Sequence, residues 1–514
     1  MQHHLLGKFC AVLWLCQAAL AQAAERTYVA AVYEHSVVLN PRPREPIGRR
    51  AALEHMRRNL DMLEKQAAAA GRQGAQIVVF PEDAIHGFNY TRESISGYLE
   101  TVPDPAAVSW SPCSQPDRFP DTEVLRRLSC MAQKNVLYLV ANMPDRQDCD
   151  PRLDPRCPPD GRYQFNTDVV FSANGTIVAR YHKQNLYFEA AFDAPPQCEH
   201  VTFDTPFAGK FGVVTCFDIL FYEPAVSLIE KWGVRQLVYP TAWMNQLPLL
   251  AAVQFQRAFS FATGVTLLAA NVRAGALGMT GSGIFTPWHT VYQHNTENEE
   301  GQLLLATIPI LDTETSRTSQ GWPREPFSGN PHLEPQFCEG TQVCEQDPFP
   351  ITPTPANSSS TFHSVMMYDN FTLVPLEGSE GNLTVCDGLL CCHLLFRRSG
   401  APGELYALGA FRGLHVIHGT YALEVCALVR CPGPTFTSCG GEINHANTRV
   451  DFRLWGNFTT RYVFPSVLGS GMQLDRPDRH GPEEGGFFMS KAGMASGLVT
   501  ACLYGRVYHE DRPP

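Results

Sequence analysis

A layered α/β region followed by a β-rich, disulfide-containing one is the fold class this sequence predicts. Three observations carry the expectation: apolar strands alternate with helical stretches from about residue 27 to 310, a Pro/Ser/Thr/Glu-rich stretch follows, and short cysteine-bearing strands begin near residue 361. At 514 residues the chain exceeds the roughly 250–300 at which single cores stop growing, so two domains and a connection are expected.

Tyr28-Val-Ala-Ala-Val32 opens the series as a strand. Leu53, Met56, Leu60 and Leu63 mark one face of a helix that ends near Gly71, and Gln76-Ile-Val-Val-Phe80 is a buried strand. Pro81 stops that strand and leaves Glu82 just past its tip. Asp168-Val-Val-Phe171, Asn174-Gly175 and Thr176-Ile-Val-Ala-Arg180 read as a hairpin, because Asn-Gly accepts the positive φ angles of a type I′ turn. Lys183 then falls just after a strand. Gly212 to Thr215 forms another strand with Cys216 at its end, Pro224 opens a helix ending near Gly233, and Gln236-Leu-Val-Tyr239 returns to the sheet. Groups on strand tips gather along one edge of a sheet, where open α/β sites lie.

The expected division is a leader over residues 1–23, the α/β domain over 24–312, a linker over 313–360 with Pro350-Ile-Thr-Pro-Thr-Pro355, and the β-rich domain over 361–514. Cys338 and Cys344 are expected to staple part of the linker. The leader combines His3, His4 and Lys8 with an apolar run from Phe9 to Leu20 and the small-residue pattern Ala21-Gln22-Ala23, which reads as a signal peptide and predicts secretion. No later stretch has the ~18 apolar residues of a membrane span. The chain ends polar in Tyr508-His-Glu-Asp-Arg-Pro-Pro514, so no membrane anchor is expected. A net charge of −11 without a basic run excludes nucleic acid as the expected partner and leaves a small molecule as the default.

Of 17 cysteines, Cys10 and Cys16 fall in the leader, and the odd remainder predicts a free thiol in a secreted protein. Setting Cys216 aside leaves enough for seven bridges. Asn89, Asn174, Asn357, Asn370, Asn382 and Asn457 occupy Asn-X-Ser/Thr glycosylation sites.

Cys216 in Phe211-Gly-Val-Val-Thr-Cys-Phe-Asp218, Glu82 in Phe80-Pro-Glu-Asp and Lys183 in Tyr181-His-Lys-Gln-Asn-Leu are the residue types of a thiol amide hydrolase. A cysteine attacks as thiolate and needs a nearby cation or base. Lys183 supplies the cation, and Glu82 can accept the thiol proton, pass it to the departing amine and then activate water. The Lys183 ammonium and the backbone N–H of Phe217 can hold the developing oxyanion. This chemistry needs no metal and no organic cofactor, and no cysteine and histidine spacing compels zinc. Singly, each residue has a plainer reading: Cys216 a disulfide partner or core thiol, Glu82 a turn acid, Lys183 a surface lysine. His182 is expected to point away from Lys183, since neighbouring side chains on a strand alternate faces. Ser282 lacks the Gly-X-Ser-X-Gly elbow and reads as part of a tight turn. Trp243 fits a pocket wall and the core equally well.

In this order, the three segments resemble the nitrilase superfamily of carbon–nitrogen hydrolases over roughly residues 27–310. The resemblance implies an α-β-β-α sandwich, with Glu82, Lys183 and Cys216 as its Glu-Lys-Cys triad, and admits Glu189 as a second glutamate orienting Lys183. Ala31-Val-Tyr-Glu-His35, Asp160-Gly-Arg-Tyr-Gln-Phe-Asn166, Thr215-Cys-Phe-Asp-Ile-Leu220 and Pro240-Thr-Ala-Trp-Met-Asn245 look like the biotinidase and vanin branch, which also has a β-rich C-terminal domain. Asn185-Leu-Tyr-Phe-Glu-Ala-Ala-Phe-Asp193 and Met279-Thr-Gly-Ser-Gly283 are similar to the biotinidase side of it. The implied activity is hydrolysis of biocytin or short biotinyl peptides through a Cys216 thioester, with biotinyl transfer to other amines as a secondary route. The expected protein is a secreted monomer. Pantetheine hydrolysis by the same triad is the first alternative. A non-catalytic biotin-binding protein is the second, and a structural glycoprotein with Cys216 bridged is the third.

Overall fold

The computed structural model describes residues 26–311 and 360–512, apart from 401, 402, 418 and 484. The expected leader, nearly all of the expected linker, Cys338, Cys344 and Asn357 lie outside the described residues.

The first region is two stacked sheets of six strands. Strands β1 (Thr27–Ser36), β2 (Ile77–Val79), β3 (Tyr138–Asp148), β4 (Arg162–Phe171) and β5 (Ile177–His182) pair in that order. Strands β6 (Thr202–Thr205), β7 (Gly209–Val213), β8 (Gln236–Thr241), β9 (Thr266–Arg273), β10 (Ser282–Phe285) and β11 (Thr290–Gln293) form the second sheet. The last strand, β12 (Gln302–Pro309), runs antiparallel beside β1 and completes the first. Each sheet has a parallel centre, β1-β2-β3 and β7-β8-β9, flanked by antiparallel strands. The two meet edge to edge only where His35 and Ser36 pair with Val272 and Arg273.

Along β1 the side chains alternate between two apolar environments. Tyr28, Ala30 and Val32 face the other sheet, packing with Phe211, Val213, Val238 and Leu268. Ala31 and Tyr33 face helices α1 (Arg49–Arg72) and α2 (Glu123–Asn135). Burial on both faces explains why these strands read as nearly continuous apolar runs. Helix α1 buries Ala52, Met56, Leu60, Leu63, Ala67 and Ala70, a three-and-four spacing along one face. On the far side of the second sheet lies α3 (Ala252–Thr263), with Phe255 and Phe259 buried. The layers are therefore helix, sheet, sheet, helix.

Beyond residue 360 a seven-stranded antiparallel sheet packs on a five-stranded one, with Val374, Leu394, Leu428, Phe452 and Leu503 between them. The other face of the seven-stranded sheet covers α3 and the segment after β7. Phe464 lies 5.3 Å from Phe255 and 5.8 Å from Phe259, ring centre to ring centre. Arg461 pairs with Glu230 at 2.8 Å. One apolar cluster, holding Phe217, Leu220 and Phe255 together with Val425, Phe464 and Tyr504, runs through the junction.

Three expectations are corrected. The β4–β5 hairpin forms, but only Gly175 has positive φ (83°). Asn174 instead accepts hydrogen bonds at Oδ1 from the Ser172 hydroxyl (2.8 Å) and the Thr176 N–H (3.0 Å), so the turn is not type I′. Ser282 begins strand β10 instead of sitting in a turn, because its hydroxyl donates to the buried Glu34 carboxylate at 2.9 Å. The bridge count of seven fails. The described disulfides are Cys113–Cys130, Cys149–Cys157, Cys386–Cys391, Cys392–Cys426 and Cys431–Cys439, while Cys198 and Cys502 join Cys216 as free thiols. Cys502 is wholly buried between Ala427 and Ser466 on adjacent strands and behaves as a small hydrophobe. The five described disulfides fit an extracellular environment. No described helix is long and apolar enough to cross a membrane.

Of the glycosylation candidates, Asn89, Asn174 and Asn370 are exposed and Asn382 is half-buried. Asn457 is exposed too, but its amide is engaged: it donates to Leu389 O at 2.9 Å and accepts from Cys391 N–H at 2.6 Å.

Truncating Phe464 to Ala should open a cavity at the junction and cost about 3–5 kcal/mol, the usual range for a buried phenylalanine. A shift in the urea midpoint of the purified protein checks it, and an unchanged midpoint would show that the junction contributes no stability.

Candidate active site

The three strand tips converge as expected. Glu82 follows β2, Lys183 follows β5 and Cys216 follows β7, so the group draws on both sheets. Glu82 and Lys183 are each 1% exposed. Glu82 Oε1 accepts from Lys183 Nζ at 2.6 Å and from Asn166 Nδ2 at 2.9 Å, and its Oε2 accepts from the Ala242 N–H at 2.9 Å. Lys183 also donates to Glu189 Oε1, and Asn166 donates to Glu189 Oε2 at 2.9 Å. One ammonium therefore lies between two carboxylates that a single asparagine holds from behind.

Behind this group is a ladder on β4. Gln164, Asn166 and Asp168 alternate with Phe165, Thr167 and Val169, which puts three polar side chains on one face. Gln164 Nε2 donates to the carbonyls of Arg92 and Ala191, tethering the loop that carries Glu189. Asp168 accepts from Asn142 Nδ2 (2.9 Å) and the Thr215 hydroxyl (2.7 Å), joining the Glu82 side to the residue before Cys216. Asn142 Oδ1 accepts the Asp83 N–H at 3.0 Å, fixing the chain just after Glu82.

Cys216 opens a short helical turn, Cys216–Leu220, with φ of 44°. That left-handed conformation is costly for a residue with a Cβ and recurs where a side chain must be aimed. Thr215 and Asp218 cap the turn reciprocally, the Thr215 N–H reaching Asp218 Oδ2 at 3.1 Å. Asp218 is held in turn by the Tyr181 hydroxyl (2.6 Å) and by the N–H and side-chain amide of Asn185. Burial pushes its carboxyl up to about 6. The Tyr239 hydroxyl donates to the Cys216 carbonyl at 2.7 Å, so the strained turn is tied from both sheets.

The electrostatics follow from burial and charge count. Burial alone would lower the Lys183 pKa, but Glu189 and Glu82 outweigh it and hold the ammonium well above its ordinary value. Burial, and after it the Glu82 charge, raise the Cys216 thiol well above its usual value despite Lys183, Thr241 and the Ala242 N–H. Glu189 is raised as well, chiefly by burial. Burial and the neighbouring Glu82 thus disfavour the thiolate form of Cys216 in this site.

Cys216 touches two cavities. One, about 260 Å³, has Glu82, Lys183 and Glu189 on its floor and Phe88, Tyr90 and Phe192 in its walls. The other is a narrow apolar cleft of about 40 Å³, bounded by Tyr187, Phe217 and Trp243 on one side and by Tyr368, His415 and Tyr421 of the seven-stranded sheet on the other. Trp243 is therefore a wall residue, its indole N–H donating to Leu250 O at 2.9 Å. Phe217 packs its ring 5.1 Å from Tyr187, while its backbone belongs to the Cys216 turn.

The other candidates separate cleanly. His182 sits between Asp145 Oδ2 (3.0 Å) and Glu199 Oε1 (2.8 Å), on the opposite face of the chain from Lys183. Ser282 serves Glu34 and the Asn271 N–H. Cys198, His200 and Glu223 bring potential ligand atoms within 4.8 Å of one another, a grouping that sequence spacing did not suggest. Glu223 is already occupied by Lys231 at 2.8 Å and by the Ser227 hydroxyl. Sequence reasoning missed Asn142, Asn166, Asp168, Thr215 and Asp218. The signal that could have found part of this set is the polar alternation Gln164, Asn166, Asp168 inside an otherwise apolar strand.

Comparison with known proteins agrees with this geometry. Residues 51–318 match the carbon-nitrogen hydrolase family model, and residues 360–511 match the vanin C-terminal domain. A biotinidase from Rattus norvegicus is 53% identical, the match covering 99% of this chain and 98% of its own. A biotinidase from Homo sapiens is 52% identical over 94% of this chain and 90% of its own. A pantetheinase from Sus scrofa is 42% identical over 98% of this chain and 93% of its own. With a matching family model over half its length, near full-length relatives and Glu82, Lys183 and Cys216 gathered from both sheets of the sandwich, the chain belongs to the carbon–nitrogen hydrolase family, in the branch that carries a vanin C-terminal domain.

Proposed function

We propose that this protein is a secreted, monomeric amidohydrolase that cleaves biocytin and short biotinyl peptides to free biotin and lysine or a lysyl peptide. The observation that carries the acyl group is the identity gap: 53% to a biotinidase against 42% to a pantetheinase, each across nearly the whole chain. The chemistry rests on the buried Glu82–Lys183 contact beside Cys216.

Glu82 takes the proton of the Cys216 thiol as the sulfur attacks the amide carbon. The carbonyl oxygen gains charge and is met by the Lys183 ammonium and the Phe217 N–H. Collapse of the tetrahedral species breaks the C–N bond, and the proton held by Glu82 passes to the departing amine. A biotinyl thioester on Cys216 remains. Water enters, gives a proton to Glu82 and attacks the thioester; biotin leaves and the proton returns to sulfur. An amine in place of water would give biotinyl transfer. Glu189 acts as a positioning residue, keeping Lys183 charged and aimed while Asn166 holds both carboxylates.

The second reading, pantetheine hydrolysis, keeps every step and changes only the acyl group, from biotinyl to pantothenoyl. Capture without turnover would leave one equivalent of product per protein.

Steady-state hydrolysis of biocytin and pantetheine, run beside Cys216→Ala, tests the reading. Biocytin should win by orders of magnitude in kcat/KM and the variant should be inactive. A pantetheine preference overturns the acyl assignment, and a single equivalent of product from either substrate overturns catalysis. Lys183→Met should lose roughly 10²–10³ in kcat, the value of one oxyanion donor. Glu82→Gln should lose at least that, since both half-reactions need its proton transfer.

A raised thiol pKa means a smaller thiolate fraction at any given pH. Iodoacetamide should therefore alkylate native Cys216 more slowly at pH 7 than a free cysteine, with a rate still climbing at pH 9. A rate already on a plateau at neutral pH would contradict the thiol ground state.

A further inference from the structure

The turn that carries Cys216 is capped at its start by residues of its own region, but its far end is held from elsewhere. The Phe221 N–H donates to the Asp218 carbonyl, but a turn of five residues offers no N–H of its own to the carbonyl of its last residue. The carbonyl of Leu220, its last residue, accepts a hydrogen bond at 2.7 Å from Nε of Arg506, the final residue of strand Leu498–Arg506 in the seven-stranded sheet. Arg506 is 0% exposed. A guanidinium in such a place has to be paired, and this one is. Asp511 takes Nη2 at 2.7 Å and Nη1 at 3.1 Å, and the Ala422 carbonyl takes Nη1 as well. Three rings enclose it, with centres 4.6 Å (Tyr508), 4.9 Å (Tyr421) and 5.9 Å (Phe221) from the guanidinium carbon. Tyr421 and Phe221 also pack on Phe217, at 6.2 and 5.0 Å.

We propose that Arg506 is a positioning residue for the reaction: it clamps the far end of the nucleophile turn and thereby sets the aim of the Cys216 thiol and the Phe217 N–H. The planar fork suits this task, because Asp511 fixes the guanidinium plane and leaves Nε aimed at one carbonyl. The residues after 360 are then part of the catalytic machinery through backbone geometry. Arg506 lines neither cavity at Cys216, so its effect falls on kcat and not on KM. The inference rests on the thiol mechanism and is independent of which acyl group is cleaved.

The test compares the parent enzyme with Arg506→Met, Arg506→Lys and Asp511→Asn for kcat and KM, for the alkylation rate of Cys216 by iodoacetamide at pH 8.5, and for the thermal midpoint. Arg506→Met should lose roughly 100-fold in kcat, the scale of an ångström-sized misplacement, with KM unchanged and an altered alkylation rate. Arg506→Lys, which keeps a donor and a charge, should recover part of the loss. A purely structural role would lower the midpoint and the yield while the folded fraction kept the parental kcat, and that result overturns the proposal. Should Arg506→Met fail to be secreted, Arg506→Lys and Asp511→Asn decide: a kcat loss at unchanged KM supports the clamp, and parental kcat in both refutes it. Alkylation needs no substrate, so failure of the biotinyl reading leaves that measurement standing and distinguishes the two failures.

Discussion

A lysine ammonium that is 1% exposed can persist only beside opposite charge, and Lys183 has two carboxylates against it. Stripping a charge of water costs several kcal/mol even after relaxation, and it must be offset by close, well-bonded partners. Those partners come from separate places. Glu82 follows the short strand β2, Glu189 lies on the loop tethered by Gln164, and Asn166 on β4 donates to both carboxylates. The first sheet must therefore bring the ends of β2 and β5 to the middle of β4 before the charges can be buried together.

The same constraint shapes the nucleophile. Two carboxylates around one ammonium leave little net positive charge to draw a proton from sulfur, and burial penalises the thiolate further. The arrangement favours a general base over a standing ion pair. In the proposed mechanism one carboxylate, Glu82, moves the proton from sulfur to amine and from water back to sulfur. Despite burial, Glu189 and Glu82 hold the pKa of the Lys183 ammonium well above its ordinary value.

Aim is a separate requirement from charge. Cys216 accepts a left-handed φ of 44°, and such strain lasts only where the surroundings over-determine it. Here they include the Thr215–Asp218 cap, the Tyr239 hydroxyl on the Cys216 carbonyl and the continuous apolar cluster that carries packing from Phe217 through to Phe464. Catalytic geometry and the junction between the two regions thus share a single core. The cleft beside Cys216 has walls from both.

Much of this was legible in the residues. The apolar runs around Tyr28, Ile77 and Val213, the breaking effect of Pro81, and the Asn174-Gly175 pair placed Glu82, Lys183 and Cys216 at strand ends, because strand length, proline and turn chemistry are local properties. Their order along the chain made the carbon–nitrogen hydrolase resemblance specific. Asn142, Asn166 and Asp168 were not legible as a set, since each is an ordinary polar residue until two sheets bring them together. The type of the β4–β5 turn was misread because the Asn174 side chain bonds its own loop, and the disulfide count because burial, not parity, leaves Cys502 free. The sequence by itself determined the layered elements, the residue types of the reaction and their place at strand tips, all of which depend on neighbours a few positions away. Tertiary structure alone decided the polar ladder of Asn142, Asn166 and Asp168 behind the two glutamates, the burial that disfavours the Cys216 thiolate and the two-sided cleft, because desolvation and polar pairing depend on which distant groups share a space from which water is excluded.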